Sequence, residues 1–316
     1  MSKTTVSHVI SGNRPVAAPT RQRVERAISA LGYRPDGLAR SLRTRRTHTV
    51  ALIVPDLTNP FYPILARGLE EGEGADYRTF ICSSDGRPDR ERAFLEDVVD
   101  RHVDGIVLDS FHLTVDDLHR VTGERLPVVW IGGTPMHHPG VDSVRPNDEL
   151  GANEATSHLI ERGHRRIAMI DGPQGSGSSR RDGFRRALAE AGLPSYPEPP
   201  VRSDWTRAGG RAAMRRLLGL SPRPTAVFCS NDLTAFGALD GVRDAGLRVP
   251  DDVAVVGYDD IEPAALVTPT LTTVMNPAFD TGLAAGKLLR ERITGAYRGP
   301  ARTLTLDSRL VIRSSS

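Results

Sequence analysis

From His48 onward the sequence alternates short apolar runs with helix-patterned stretches, and this alternation restricts the fold more than any other feature. His48–Pro55 (HTVALIVP), Thr79–Cys82, Gly105–Leu108 and Val128–Ile131 read as strands. Between them, Phe61 to about Glu71, Asp89–Arg101 and Val115–Val121 carry helical periodicity. The series then restarts. Glu154–Arg162, Ser179–Ala191, Arg207–Leu218 and Leu233–Ala245 read as helices, and Arg166–Ile170, Ala226–Cys229 and Val253–Gly257 as strands. Strands that are apolar on both faces and separated by helices belong to parallel sheets covered on both sides. The predicted fold class is therefore α/β, with two doubly wound parallel sheets forming two lobes. Ligands of such sheets bind at the carboxyl ends of the strands, which predicts a cleft there.

A chain of 316 residues can hold two or three domains with full-sized cores. No apolar run approaches the ~20 residues that span a bilayer, and the N-terminus has no apolar signal region. No membrane association is expected. Two cysteines, Cys82 and Cys229, make no disulfide framework, and apolar neighbours around each suggest buried thiols. These features point to the cytoplasm.

Charge is unevenly distributed. Residues 2–46 hold ten Lys or Arg against Glu25 and Asp36, a formal charge of +8 in a chain whose total is +2, which leaves −6 on the rest. A basic arm on an acidic body is the signature of a nucleic-acid binder. Ser2 is a good N-cap for a helix through Ile10. Val6, Val9 and Ile10 share one face, while Lys3, Thr4, Ser7 and His8 fall on others. A turn at Gly12-Asn13 leads to a second helix, Thr20–Leu31, with Val24, Ile28 and Leu31 at helical spacing. Tyr33-Arg34-Pro35 and the small-residue segment Gly37–Leu42 follow, then Arg43, Arg45 and Arg46, which add a sequence-independent attraction to phosphates.

This order of motifs resembles the lactose/galactose-repressor family of bacterial transcription regulators, over essentially residues 2–313, entered at the start of the recognition helix. The resemblance implies an incomplete all-α helix-turn-helix head at 1–47, without its first helix, and a hinge helix at about 35–43. It implies a periplasmic-binding-protein-like body at 48–313. On that analogy lobe one is 48–146 plus 277–302, and lobe two is 147–276 plus 303–313. The DNA-facing set would be Ser2, Lys3, Thr4, Thr5, Ser7 and His8, with Lys3, Thr4 and His8 at base-reading positions and Thr5 and Ser7 on phosphate or backbone. Ala39 would approach a minor-groove floor, and Leu42 would wedge between base steps. Some residues depart from the family pattern. Asp36 stands where Asn is usual, and Ala17-Ala18-Pro19 replaces a Ser or Thr cap. Gly72 and Gly74 fall in a helix, each costing up to ~1 kcal/mol against Ala, so that helix is expected to end early. Met1 stands where the family carries a small apolar residue. The expectation is an internal Met, a gene that begins upstream and a head that packs poorly by itself.

Five separated positions converge in that family's ligand cleft: Asn59-Pro60-Phe61, Arg180 within an Arg-x-x-Gly-aromatic run, Trp205, Asn231-Asp232 and Asp259. Independently of the resemblance, carboxylate, amide and guanidinium groups at strand ends can grip adjacent hydroxyls, and Phe61 or Trp205 can cover an apolar sugar face. The same residues admit plainer roles: Asn231-Asp232 and Tyr258-Asp259-Asp260 as caps and turns, Trp205 as core, Arg180 as a solvated side chain. No nucleotide, hydrolase or metalloprotease motif is present, so no enzyme is expected. Gly175–Ser179 lacks the Lys of a phosphate loop, and His137-His138 has no further ligand at metal spacing, so neither cofactor nor metal is expected. A transport binding protein would not carry the basic head. The reading is a DNA-binding repressor, acting as a homodimer on a pseudo-palindromic operator, whose affinity a small hydroxylated ligand, a sugar, controls. The competing reading is a ligand-binding body without productive DNA binding, for want of the first helix. No heptad tail follows Arg313, so a tetramer through a C-terminal coil is not expected.

Overall fold

The computed structural model describes residues 2–11, 14–32, 46–123, 126–132, 140–173 and 178–316. They fall into two compact units, 1–47 and 48–316. In the first, helix α1 (Lys3–Ser11) packs on helix α2 (Ala18–Leu31). The Ser2 hydroxyl accepts the Thr5 N–H at 3.1 Å, meeting one of the amide donors that a helix start leaves open. α2 has no such side-chain cap; Pro19 presets its first turn and Gly32, at φ 57°, ends it. Val24 is buried, whereas Leu31 is 80% exposed. The hinge-helix segment with Ala39 and Leu42, the Gly12-Asn13 turn, and the side chains of Lys3, Ser7 and Ile10 lie outside the described residues.

The second unit holds two sheets. Strands β1 (Thr49–Val54), β2 (Arg78–Ser83), β3 (Gly105–Asp109), β4 (Val128–Ile131), β5 (Val141–Pro146) and β11 (Thr303–Leu306) form a parallel sheet in the order β11-β5-β4-β3-β1-β2. Helices α3 (Phe61–Glu73), α4 (Pro88–Asp100), α5 (Val115–Thr122) and α10 (Ala278–Thr294) accompany it. The other lobe has a parallel sheet in the order β7-β6-β8-β9, from β6 (Ile167–Asp171), β7 (Val201–Arg202), β8 (Ala226–Cys229) and β9 (Ala254–Val256). Its helices are α6 (Asp148–Glu161), α7 (Ser178–Glu190), α8 (Arg207–Leu218) and α9 (Asp232–Asp244). A short antiparallel pair, β10 (Thr273–Met275) with β12 (Arg309–Val311), lies beyond β9, which it meets through a bridge from Val256 to Thr272. Residues 50–54 and 167–170 are buried throughout, as the two-sided apolar patterning requires.

Three expectations need correction. The terminal segment 303–313 does not belong wholly to lobe two. Thr303–Leu306 pairs in register with Ser143–Pro146 of the first sheet, and only Arg309–Val311 joins β10. Buried Asp142 enforces this: it accepts from Arg292 at 2.6 Å and from Arg302 at 2.8 Å, and takes the Arg302 backbone N–H at 2.9 Å. Second, α3 does not stop early but runs to Glu73, with Gly74 as its cap. The glycines permit close contact with α10. A Cβ on Gly72 would sit 2.3 Å from the Leu283 carbonyl oxygen, and one on Gly282 would sit 2.0 Å from that of Leu65. The contact along the whole helix offsets the propensity penalty. Third, Cys229 is buried as expected, but Cys82 on edge strand β2 is only half-buried. In both, burial raises the thiol pKa.

Candidate functional site

The carboxyl ends of both sheets open on one cavity of about 690 Å³. From lobe one, β1 delivers Asn59, Phe61 and Tyr62, β3 ends in Asp109 with Ser110 and Phe111 beyond it, and β4 leads to Gly132. From lobe two come Asp148 at the start of α6, Arg180 in the first turn of α7, Trp205 after β7, Asn231 after β8 and Asp259 after β9.

Arg180 is the hub. Its Nε lies 3.4 Å from Asp148 and one terminal nitrogen 3.5 Å from Asp259, with the side chain 13% exposed. The other terminal nitrogen donates to the Ser230 carbonyl at 2.5 Å. The guanidinium lies over the Tyr258 ring, 3.9 Å from its centroid. Burial works against the charge of Arg180, but Asp148 and Asp259 outweigh that and hold its pKa above the ordinary value. Asp259 itself is raised by burial, against the pull of Arg180 and a hydrogen bond from Asn276 at 3.1 Å. Its φ of 110° is a strained conformation for a residue with a side chain. Tyr258 fixes Asp148 in turn, donating to it at 2.9 Å.

Asn59 caps the turn into α3, accepting the Phe61 N–H at 3.0 Å, and Phe61 meets Tyr62 edge to face. The Tyr62 hydroxyl donates to Asp109 at 3.1 Å. Desolvation pushes the Asp109 pKa up to about 7, with Tyr62 and Arg180 opposing. Across the cavity Trp205 is held at φ 68° and stacks with Phe111 of the other lobe at 6.1 Å. Gly172 makes room for the indole, since a Cβ there would sit 2.2 Å from the ring. Asn231 has both ends of its amide engaged: the oxygen accepts the Thr234 N–H at 2.9 Å and the nitrogen donates to the Trp205 carbonyl at 3.1 Å. Asn231 therefore works as a helix cap and as the anchor of Trp205.

In the head, Ser2, Thr5 and His8 border a shallow hollow with Pro15, Val16, Thr20 and Arg23, and Thr4 is exposed beside them. Ser2 and Thr5 are also bonded to each other, hydroxyl to hydroxyl at 2.9 Å.

Comparison with known proteins assigns this architecture. Residues 1–36 match the bacterial regulatory proteins of the lacI family, and residues 156–316 match the periplasmic binding protein-like domain. The ribose operon repressor of Escherichia coli (strain K12) is 38% identical over 303 residues, covering 93% of this chain and 90% of that protein. This chain belongs to the lacI family of bacterial regulatory proteins. A solved structure described as a transcriptional regulator CelR-cellobiose complex is 38% identical and superposes with a TM-score of 0.77, covering 100% of this chain and 96% of that one. The fold also matches the lac repressor dimer bound to operator and an anti-inducer, at a TM-score of 0.88, 24% identity and coverage of 100% and 95%. This lacI-family member is thus a regulator of transcription with a periplasmic-binding-protein-like effector domain, not an enzyme.

Sequence reasoning brought Asn59, Phe61, Arg180, Trp205, Asn231 and Asp259 to the cleft, and all six line the cavity. It missed Tyr62, Asp109, Phe111, Asp148 and Asn276, which line it too. Asp109 and Asp148 carried a usable signal: one ends an apolar strand and the other starts a helix. Asp232, paired in sequence with Asn231, is buried behind the cavity, accepting from Thr273 at 2.6 Å and from the Ile261 N–H at 2.9 Å. His137, His138 and residues 174–177 lie outside the described residues, among which no His, Cys, Asp or Glu cluster suits a metal ion. No described helix is long and apolar enough to cross a membrane.

Proposed function

We propose that this chain represses transcription by binding a pseudo-palindromic operator as a homodimer, and that a sugar held in the cleft controls its operator affinity. The observation that carries the ligand half is Arg180, fixed between Asp148 and Asp259 in a cavity walled by Phe61, Tyr62, Phe111 and Trp205. Paired carboxylates accept from adjacent hydroxyls, a guanidinium donates in a fixed plane, and aromatic faces cover the apolar side of a sugar ring. Asn59, Phe61, Arg180, Trp205 and Asp259 bind directly in this reading, joined by Asp109 and Asp148. Asn231 acts by positioning Trp205. The cellobiose complex of a relative supports the ligand class.

For DNA, the head at 1–47 presents Lys3, Thr4 and His8 to base edges and Ser2, Thr5 and Ser7 to the backbone, and the segment 35–43 enters the minor groove with Ala39 and Leu42. The +8 charge of residues 2–46 adds a salt-dependent attraction. Dimerisation is supported by edge strand β2, where Phe80 is 52% and Ile81 41% exposed, and by the dimer of the lac repressor. The dimer works in the cytoplasm, where its operator is. Lobe closure on the sugar alters the hinge, a coupling of typically ~1–3 kcal/mol.

The test is a gel-shift series with DNA from upstream of this gene and its neighbours, at several salt concentrations, with the full chain and Leu42→Ala. One fragment should be preferred over random DNA, with affinity falling as salt rises, and the variant should weaken that preference while binding sugars as before. Equal binding of every fragment by the intact chain would reject the operator reading.

A further inference from the structure

With the cleft read as the effector site, the charge around the cavity constrains what can enter it. Among the described residues that line it, six carry a carboxylate, Asp56, Asp85, Asp109, Asp148, Asp204 and Asp259, and one carries a permanent cation, Arg180. The charge of Arg180 is already offset by two carboxylates, while further N–H groups on its terminal nitrogens remain for a hydroxyl. Its nitrogens face Asp148, Asp259 and the Ser230 carbonyl, and its face lies on Tyr258. Asp85 is the single further wall carboxylate with a described cation partner, Arg90. Asp109 receives the Tyr62 hydroxyl, and Asp56 and Asp204 receive the hydroxyls of Thr58 and Thr206. His112 is turned to the Gly86 carbonyl at 3.1 Å. A partial charge of roughly +0.5 at the start of α7, whose first turn holds no acid, is the main feature that favours an anion.

We infer that the cleft accepts uncharged or amine-bearing saccharides and refuses phosphorylated or acidic ones. A phosphate or carboxylate would meet carboxylates, with no cation among the described lining residues whose charge is not already offset. A hydroxyl meets ready acceptors at Asp109, Asp148 and Asp259, and an ammonium group would lower the excess of negative charge. Asp109 ends β3 with no ion-pair partner among the described residues, and when ionised it adds to the refusal.

The experiment is titration calorimetry with thermal shift on the full chain. The probes are matched sets: cellobiose, glucose and ribose, with glucosamine, glucose 6-phosphate, ribose 5-phosphate and glucuronate. A sugar that binds in its neutral or amino form should bind at least ~100-fold tighter than its phosphate or acid. At pH 8, above the Asp109 pKa of about 7, that ratio should narrow by about tenfold in Asp109→Asn, because one repelling charge is gone. A phosphate or acid form that binds as well as its neutral parent overturns the inference and leaves the effector-site reading standing. An unchanged ratio in Asp109→Asn overturns charge as the cause. If no probe of any charge binds, the sugar reading falls and this inference falls with it.

Discussion

The Asn231 side-chain nitrogen donates to the backbone carbonyl of Trp205 at 3.1 Å while its oxygen caps α9 through the Thr234 N–H at 2.9 Å. One amide thus ties a helix start to an aromatic wall of the cleft. Trp205 sits at φ 68°, a conformation that costs roughly 1–3 kcal/mol for a residue with a side chain. Asn231→Ala should lose about 1 kcal/mol of stability with the cap and weaken sugar binding as Trp205 relaxes. Asn231→Ser should recover the cap and not the binding, since serine is too short to reach Trp205. Urea unfolding and calorimetry on both variants separate the two effects; full sugar affinity in Asn231→Ser would show that Trp205 needs no anchor.

Arg180 holds two carboxylates that have no other cation among the described residues. Arg180→Met should destabilise the body by ~3–5 kcal/mol, the usual consequence of stranding buried charge. Asp259→Asn should cost less, because Arg180 keeps Asp148 as its partner and an amide keeps an acceptor for Asn276. Denaturant midpoints of the two variants give the comparison, and equal losses would contradict the hub role of Arg180.

Gly72→Ala tests the packing of α3 on α10. Helix propensity alone favours alanine by about 1 kcal/mol. The new Cβ would come within 2.3 Å of the Leu283 carbonyl oxygen, which is backbone and cannot swing aside. A net loss of ~1–3 kcal/mol is expected. A gain in melting temperature would refute close packing of α3 on α10 at Gly72.

Glu73 gives the body a pH dependence of definite sign. It is 3% exposed, and its Oε2 has no hydrogen-bond partner among the described residues. Burial raises its pKa from 4.5 to about 7, opposed by the Thr79 hydroxyl and Arg78 and reinforced by Glu70. The folded protein therefore holds this proton more tightly than the unfolded chain. The resulting stability is whole below about pH 4.5 and is lost as pH rises to about 7. Asp109 acts in the same direction. Melting temperature against pH should fall less steeply across that window in Glu73→Gln than in the parent, and parallel curves would refute the assignment.

Much of the scaffold was legible because its signals are local. β4, β8 and α8 start and end where the pattern of apolar residues says they do. The short strands β7 and β10 and the polar β5 were not found, because Val141–Pro146 (VDSVRP) has no apolar run and its burial depends on partners far away in sequence. The candidate site was legible where short family motifs mark it, as at Arg180, Trp205 and Asn231. Asp109 and Asp148 were lost to element boundaries. The β3 pattern was ended at Leu108, one residue short, and α6 was begun at Glu154, a turn and a half late. The extension of α3 through Gly72 could not be read from one helix, since its reason lies on the partner helix.

The interleaving of the two lobes bears on how the protein is made. The chain passes between them at Pro146-Asn147, at Asn276-Pro277 and at Asp307-Ser308, so neither lobe is encoded by one continuous stretch. The first sheet lacks its outer strand and the long helix α10 until residues 278–306 have left the ribosome, and β10 lacks its partner until Arg309–Val311 emerge. Translation must therefore pass residue 306 before the first lobe closes its core and residue 311 before the second does, and until α10 emerges Leu65 and Leu69 of α3 have no α10 to cover them. Gene fusion or recombination can exchange the head for another, but it has to carry the body as a single block.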